Sequence, residues 1–177
     1  MVFDPPGRRN ALGNIVQLDI DIEGNHPVQG ILLASWIADR LNWKLKESQS
    51  HSRQGDTLKS EFQRPDGSTT IFNLMPLPVG NPSNNPGQIV GLRLICKSNQ
   101  SPKDSICVIL AAESGECMRL ESGGMANMEL IEEVVPIQND SVEMDVARLL
   151  RSSRGSTSPL LAASAPIAER LLCLTQD

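Results

Sequence analysis

The sequence predicts an α+β fold: a mostly antiparallel sheet packed by one long helix near the N-terminus, with short C-terminal helices. Three observations predict it. Val16, Leu18, Ile20 and Ile22 alternate with Gln17, Asp19, Asp21 and Glu23, the two-residue period of a half-buried strand with an acidic outer face. Gly30 to Leu41 carries Ile31, Leu32, Trp36, Ile37 and Leu41 at helical spacing, behind Asn25-His26-Pro27, where a capping residue and a proline suit a helix start. Two strand-like runs, Thr57 to Arg64 and Thr69 to Met75, flank Pro65-Asp66-Gly67-Ser68, and Asp-Gly tolerates the positive φ of a hairpin turn.

The remaining elements follow in order. Asn42 is a left-handed helix terminator, and Trp43-Lys44-Leu45 turns the chain into a short strand. With Asp66 and Gly67 as the turn, Phe62 faces Ile71 and Leu58 faces Met75, which gathers apolar residues on one face. Pro76 to Gln88 is a long loop, of the kind that often carries function. Ile89 to Lys97 and Ser105 to Ala112 form a second hairpin, and Cys117 to Glu121 with Met128 to Val135 add strands. Asp140-Ser141-Val142-Glu143 resembles a capping box before a short amphipathic helix ending near Leu150. Ser158-Pro159 restarts a helix, Pro166 interrupts it, and Ser164 caps a second piece running to Cys173.

The organisation is therefore a linker from an upstream domain over residues 1–12, an α+β domain over 13–137, and a helical C-terminal extension over 138–177 packed on it. A length of 177 residues with 40% hydrophobic and 21% charged residues suits such a globular unit. Aromatic residues make up 3%, with no Tyr, so stacking platforms for single-stranded nucleic acid are not expected. The formal charge of -5 lacks the basic face that phosphate-bearing partners require, so neither nucleic acid nor a membrane surface is the expected partner. No run approaches the roughly 20 apolar residues that span a bilayer, and the N-terminus has no export pattern, which reads as cytoplasmic.

Catalytic motifs are absent from the sequence: there is no G-x-S-x-G elbow, no G-x-G-x-x-G and no P-loop, so the expectation is no enzyme and no cofactor. His26 and His51 read as a cap and a solvated residue. Glu129, Glu132 and Glu133 split between strand faces, and no metal site is expected. Arg148, Arg151 and Arg154, with Ser156 and Pro159 at a helix start, gather guanidinium groups and hydroxyls that suit a phosphate or a carboxylate-rich partner surface; a plain inter-helix loop reads equally from the same residues. Cys96, Cys107, Cys117 and Cys173 form no CxxC pair. If the second hairpin turns between Ser101 and Pro102, Cys96 and Cys107 lie opposite each other and form a candidate redox pair. The other reading makes all four small buried hydrophobes. Trp36 and Trp43 read as core residues of a helix on a sheet, with partner anchors as the alternative.

Gly30-Ile31-Leu32-Leu33-Ala34-Ser35-Trp36-Ile37-Ala38-Asp39-Arg40-Leu41-Asn42-Trp43 resembles the LLAxWLAxRLGW signature in the C-terminal half of the OpcA family, glucose-6-phosphate dehydrogenase assembly proteins of cyanobacteria and actinobacteria. Ser152-Ser153-Arg154-Gly155, Pro159-Leu160-Leu161 and Pro166-Ile167-Ala168-Glu169-Arg170-Leu171-Leu172 resemble the end of the cyanobacterial members. Asn42 stands where Gly is commoner. The resemblance implies a non-enzymatic activator that binds glucose-6-phosphate dehydrogenase and favours its active, high-affinity form in the oxidative pentose phosphate pathway. It also implies thioredoxin-dependent redox control, without choosing a cysteine pair. Two other functions remain in view from the residues themselves: a sugar-phosphate sensor using the Arg-rich segment, and a thiol-based redox module.

Overall fold

In the computed structural model, Ile15–Glu23 forms strand β1, which takes the centre of a mixed sheet rather than its edge. The structure describes residues 9–46, 52–54, 57–78, 87–97, 106–114, 117–124, 131–136 and 159–175. After β1 come helix α1 (Val28–Arg40), β2 (Lys44–Leu45), β3 (Ser52–Gln54), β4 (Thr57–Gln63) and β5 (Thr69–Leu77). Then follow β6 (Ile89–Cys96), β7 (Ile106–Ser114), β8 (Cys117–Gly124), β9 (Ile131–Pro136) and helix α2 (Pro159–Cys173). The spatial order is β2-β4-β5-β1-β6-β7-β8-β9, with β3 also paired to β4. β1 runs parallel to β5 and antiparallel to β6, and α1 lies on the connection that the parallel pair demands.

The expected fold class needs correcting. The sheet is mixed, because a parallel pair sits at its centre. The helix near the N-terminus has 13 residues and is not long; it shares the cover of the sheet with a C-terminal helix of 15. That second helix is one piece, where short helices broken at Pro166 were expected. Pro166 removes one backbone donor, but its ring is exposed, while Ser164, Ala168 and Leu171 on the other side are buried. Packing of that inner stripe against α1 and the core outweighs the lost hydrogen bond.

One face of the sheet is the core. Leu18, Ile20 and Ile22 of β1, Phe72 and Leu74 of β5, Leu58 and Phe62 of β4 and Leu94 of β6 are all buried there. Trp43 packs on Phe62, with ring centroids 5.8 Å apart, and Phe62 on Phe72 at 6.0 Å. Trp36, by contrast, stays 37% exposed. Helix α1 approaches the sheet on small residues, Gly30, Ala34, Ser35 and Ala38. A methyl group at Gly30 would lie 2.4 Å from Leu74 Cδ1 and 3.1 Å from Ile22 Cγ2, so only glycine permits this spacing. Ser35 Oγ donates to the Ile31 carbonyl at 2.7 Å, which satisfies the hydroxyl inside the layer.

The helix ends as its sequence suggests. Asn42 has φ 54°, its N–H donates to the Asp39 carbonyl, and the Trp43 N–H reaches back to Ala38. This is a Schellman closure with Asn in place of Gly.

The β4–β5 hairpin is shifted by one residue from expectation. Leu58 pairs with Leu74 and Phe62 with Thr70, not with Met75 and Ile71. The cause is the loop, which holds three residues. The Gly67 N–H donates to the Arg64 carbonyl, the Arg64 N–H to that of Ser68, and Gly67 takes φ 83°. A one-residue slip exchanges the faces, so Ile71 leaves the core and stands 46% exposed on the opposite side. Arg64, itself buried, donates Nη1 to the Gly13 and Ile15 carbonyls at 3.2 Å each, and Thr70 Oγ1 donates to Ile15 at 2.6 Å.

Candidate functional site

The second face of the sheet carries the odd-numbered residues of β1, and among the described residues no helix packs on it. An exposed acidic strip was expected from their sequence. Asp19 is instead 3% exposed and Glu23 5%. A strand with a neighbour on each side is flanked by side chains that an edge strand lacks, and here these are polar. In register, Lys59 of β4 lies beside Asn73 of β5, then Asp19 of β1, then Arg93 of β6 and Ile109 of β7.

Asp19 is the hub of this row. Gln17 Nε2 donates to its two oxygens at 3.0 and 2.8 Å, and Asn73 Nδ2 donates to Oδ1 at 2.6 Å. Arg93 Nη1 reaches Oδ2 at 3.2 Å. A buried carboxylate needs such a shell, since losing hydration is otherwise costly.

Asp21, two residues on, is treated differently. Its register neighbours are Met75 and Gly91, neither of which offers a side-chain donor. Its Oδ1 is buried and accepts no hydrogen bond among the described residues. The carboxylate leans over Gly91, where a methyl group would lie 2.5 Å from Oδ2. Burial pushes the Asp21 carboxyl above its ordinary value of 3.8; Arg93 pulls it down and Asp19 pushes it up further. On the same face half-buried Ala111 lies beside Gly91 and Ile109 beside Arg93, while half-buried Ile95 and exposed Ile71 flank Gln17 at the other end of β1.

The cysteines do not assemble as the sequence suggested. Cys96 lies opposite Ile106, and Cys107 opposite Ile95, so the two thiols leave neighbouring strands on opposite faces. Cys96 is buried in the core, where desolvation pushes its thiol up to about 12. Cys107 is half-buried on the polar face; burial raises its pKa too, against a lowering by Arg93. Cys173 is exposed on α2, and Cys117 starts β8. All three cysteines whose side chains are described are reduced.

Arg148, Arg151, Arg154 and Ser156 lie outside the described residues, and Pro159 opens α2. The expected helix after Asp140, His51 and Glu129 also lie outside them. A cleft of about 180 Å³ opens at the carboxyl ends of β1 and β5, lined by Ile22, Asn25, Pro27, Leu74, Pro76 and Leu174 among others. Among the described residues no charged side chain lines it.

Sequence reasoning missed the Asp19–Asn73–Arg93 cluster. Its signal was present as single polar residues, Asn73 and Arg93, set inside otherwise apolar strands. Only the pairing of β1 with both β5 and β6 brings them together.

A mixed sheet with two helices on one face and a hydrogen-bonded charge cluster on the other defines a domain whose polar chemistry is ionic and hydrogen-bonding. This chain belongs to the family described as the C-terminal domain of the glucose-6-phosphate dehydrogenase subunit, whose profile matches residues 1–165. Relatives called putative OxPP cycle protein OpcA share its sequence. The protein from Synechococcus elongatus is 36% identical over 141 residues, 80% of this chain and 31% of its own. That from Nostoc punctiforme is 30% identical over 142 residues, 80% of this chain and 30% of its own. That from Synechocystis sp. is 28% identical over 174 residues, 98% of this chain and 36% of its own. The chain thus spans about a third of the length of the relatives it matches.

Proposed function

We propose that this domain is a non-catalytic regulatory module that binds glucose-6-phosphate dehydrogenase and favours its active, high-affinity form, acting in the cytoplasm on the oxidative pentose phosphate pathway. The family match across residues 1–165 carries this reading. The polar face supports it: its described groups hold one another in a fixed ionic arrangement, which suits a recognition surface. An activator needs only a higher affinity for one state of its target than for another, so it has no use for a nucleophile or a base. No helix among the described residues is long and apolar enough to cross a membrane.

Redox control by thioredoxin is part of the proposal, and it rests on the cysteines outside the core. Cys107 on the polar face and Cys173 on the surface of α2 are better placed for exchange than Cys96, whose raised pKa suppresses the reactive thiolate.

The test is steady-state kinetics of the dehydrogenase titrated with this chain, alongside gel filtration of the mixture. Co-elution and a several-fold fall in KM for glucose 6-phosphate are expected, and the chain alone should turn over no glucose 6-phosphate. An unchanged KM without co-elution would remove the reading.

A further inference from the structure

We propose that the outward face of the helix layer, which carries Trp36 of α1 and Leu161 of α2, is where a second copy of this chain docks, helix pair on helix pair. The proposal goes beyond the reading of the domain as a dehydrogenase-binding module and does not depend on it.

The argument starts from two helices that are apolar on more than one side. α1 has no charged residue from Val28 through Ala38, and α2 has none from Pro159 through Ala168. Ile31, Ala34 and Ala38 turn inward from α1, as do Ser164, Ala168 and Leu171 from α2. What remains outward is still apolar. Among the described residues, three of the five exposed large apolar side chains stand on these helices: Val28 at 50%, Trp36 at 37% and Leu161 at 47%. Half-buried Leu32 and Leu33 lie one turn before Trp36, and exposed Ala162, Ala165 and Pro166 continue the surface from Leu161. A helix that borders water keeps charged side chains on that side, whereas one that is apolar all round is covered.

The geometry gathers these residues. Pro27, just before α1, and Leu174, just after α2, line the same cleft, so the packed pair runs antiparallel. Trp36 near the carboxyl end of α1 and Leu161 near the amino end of α2 therefore lie at the same end of the layer. A second copy fits this face in charge and in area. The chain carries a net charge of -5, so two copies repel unless they meet through a surface without net charge. The charged residues of the two helices are Asp39 beside Arg40 and Glu169 beside Arg170, one of each sign, so a twofold contact brings no uncompensated like charges together. Two helices of 13 and 15 residues side by side make a face about 20 Å long and about 20 Å wide. Two such faces meeting remove on the order of 1,000 Å² from water, the scale of a reversible dimer, with Trp36 as its anchor.

The experiment is sedimentation equilibrium of the purified 177-residue chain across the micromolar range, with excess dithiothreitol so that exposed Cys173 cannot cross-link copies. Four forms are compared: wild type, Trp36→Lys, Leu161→Lys and, as a control, Ile71→Lys on the opposite face of the sheet. The wild-type mass should climb from 19.2 kDa towards twice that value as concentration rises, and its tryptophan emission should shift to the blue as Trp36 leaves water. Each helix variant should weaken dimerisation at least tenfold, and Ile71→Lys should dimerise as wild type does. Thermal melts establish that every form is folded. A wild type that stays at 19.2 kDa throughout would overturn the second copy as occupant, and weaker dehydrogenase binding by Trp36→Lys would then give the face to the dehydrogenase. A dimer that survives in both helix variants, or that Ile71→Lys abolishes, would overturn the docking face.

Discussion

Strand β1 has two faces that meet the same requirement, removal from water, by different means. On the helix side Leu18, Ile20 and Ile22 are buried by packing, with Gly30 letting α1 approach Leu74 and Ile22 closely. On the other side Asp19 is buried by hydrogen bonds, while half-buried Asp21 keeps one buried oxygen that has no hydrogen-bond partner among the described residues. The contrast teaches that a polar group can be buried without being satisfied. Among the described residues the packed face has no buried side-chain polar atom without a partner, whereas the polar face has one, Asp21 Oδ1.

Thiol reactivity should show the contrast most strongly. Cys96 lies on the packed face with its pKa raised from 9.0 to about 12, which lowers its thiolate fraction about a thousandfold. Alkylation of the native protein at about pH 8 followed by mass spectrometry should label exposed Cys173 long before Cys96. Equal labelling of the two would break the distinction between core and surface.

The next largest effects concern stability. Phe72→Ala removes a fully buried ring in contact with Phe62 and should cost about 3–5 kcal/mol in urea unfolding. Asp19→Ala strands the amides of Gln17 and Asn73 and should cost about 2 kcal/mol. A smaller loss for Phe72→Ala than for Asp19→Ala would reverse the ranking of the two faces.

Asp21→Asn should go the other way. A carboxyl whose folded pKa lies above its ordinary 3.8 binds protons more readily in the folded chain. Stability therefore declines as pH rises from 3.8 through the folded value, and the full cost is present above it. The variant removes that cost, so melting temperatures of the two forms should diverge modestly in its favour as pH rises from about 4 to about 7. A wild type more stable than the variant at neutral pH would mean that Asp21 is already satisfied. The smallest effect belongs to Asn42→Gly, which relaxes the positive φ at the end of α1 and should add about 0.5 kcal/mol.

Local features of the fold were legible in the sequence and non-local ones were not. The alternation of β1, the amphipathic face of α1 and the terminator role of Asn42 all follow from residues within one turn or one strand of each other. The parallel pairing of β1 with β5 does not, because Asn73 is 54 residues from Asp19 and no local signal joins them. The same gap hid the candidate site. A strand with alternating acids reads as an acidic surface until Asn73 and Arg93 are brought alongside. The hairpin register failed for a finer reason: Pro-Asp-Gly supports both two-residue and three-residue loops, and the choice moves Ile71 from the core to the open face. Pro166 was over-weighted, since the buried stripe of α2 outweighs one missing backbone hydrogen bond.

The central position of β1 also has a consequence in time. The ribosome makes this strand before either of its neighbours: Asn73 is 54 residues and Arg93 74 residues from Asp19. Helix α1 and the β4–β5 hairpin close on short loops and can form while β1 still lacks both partners. A segment synthesised early is thus among the last to settle, and in a refolding experiment read by pulsed hydrogen exchange its amides should gain protection together with those of β5 and β6, later than those of α1.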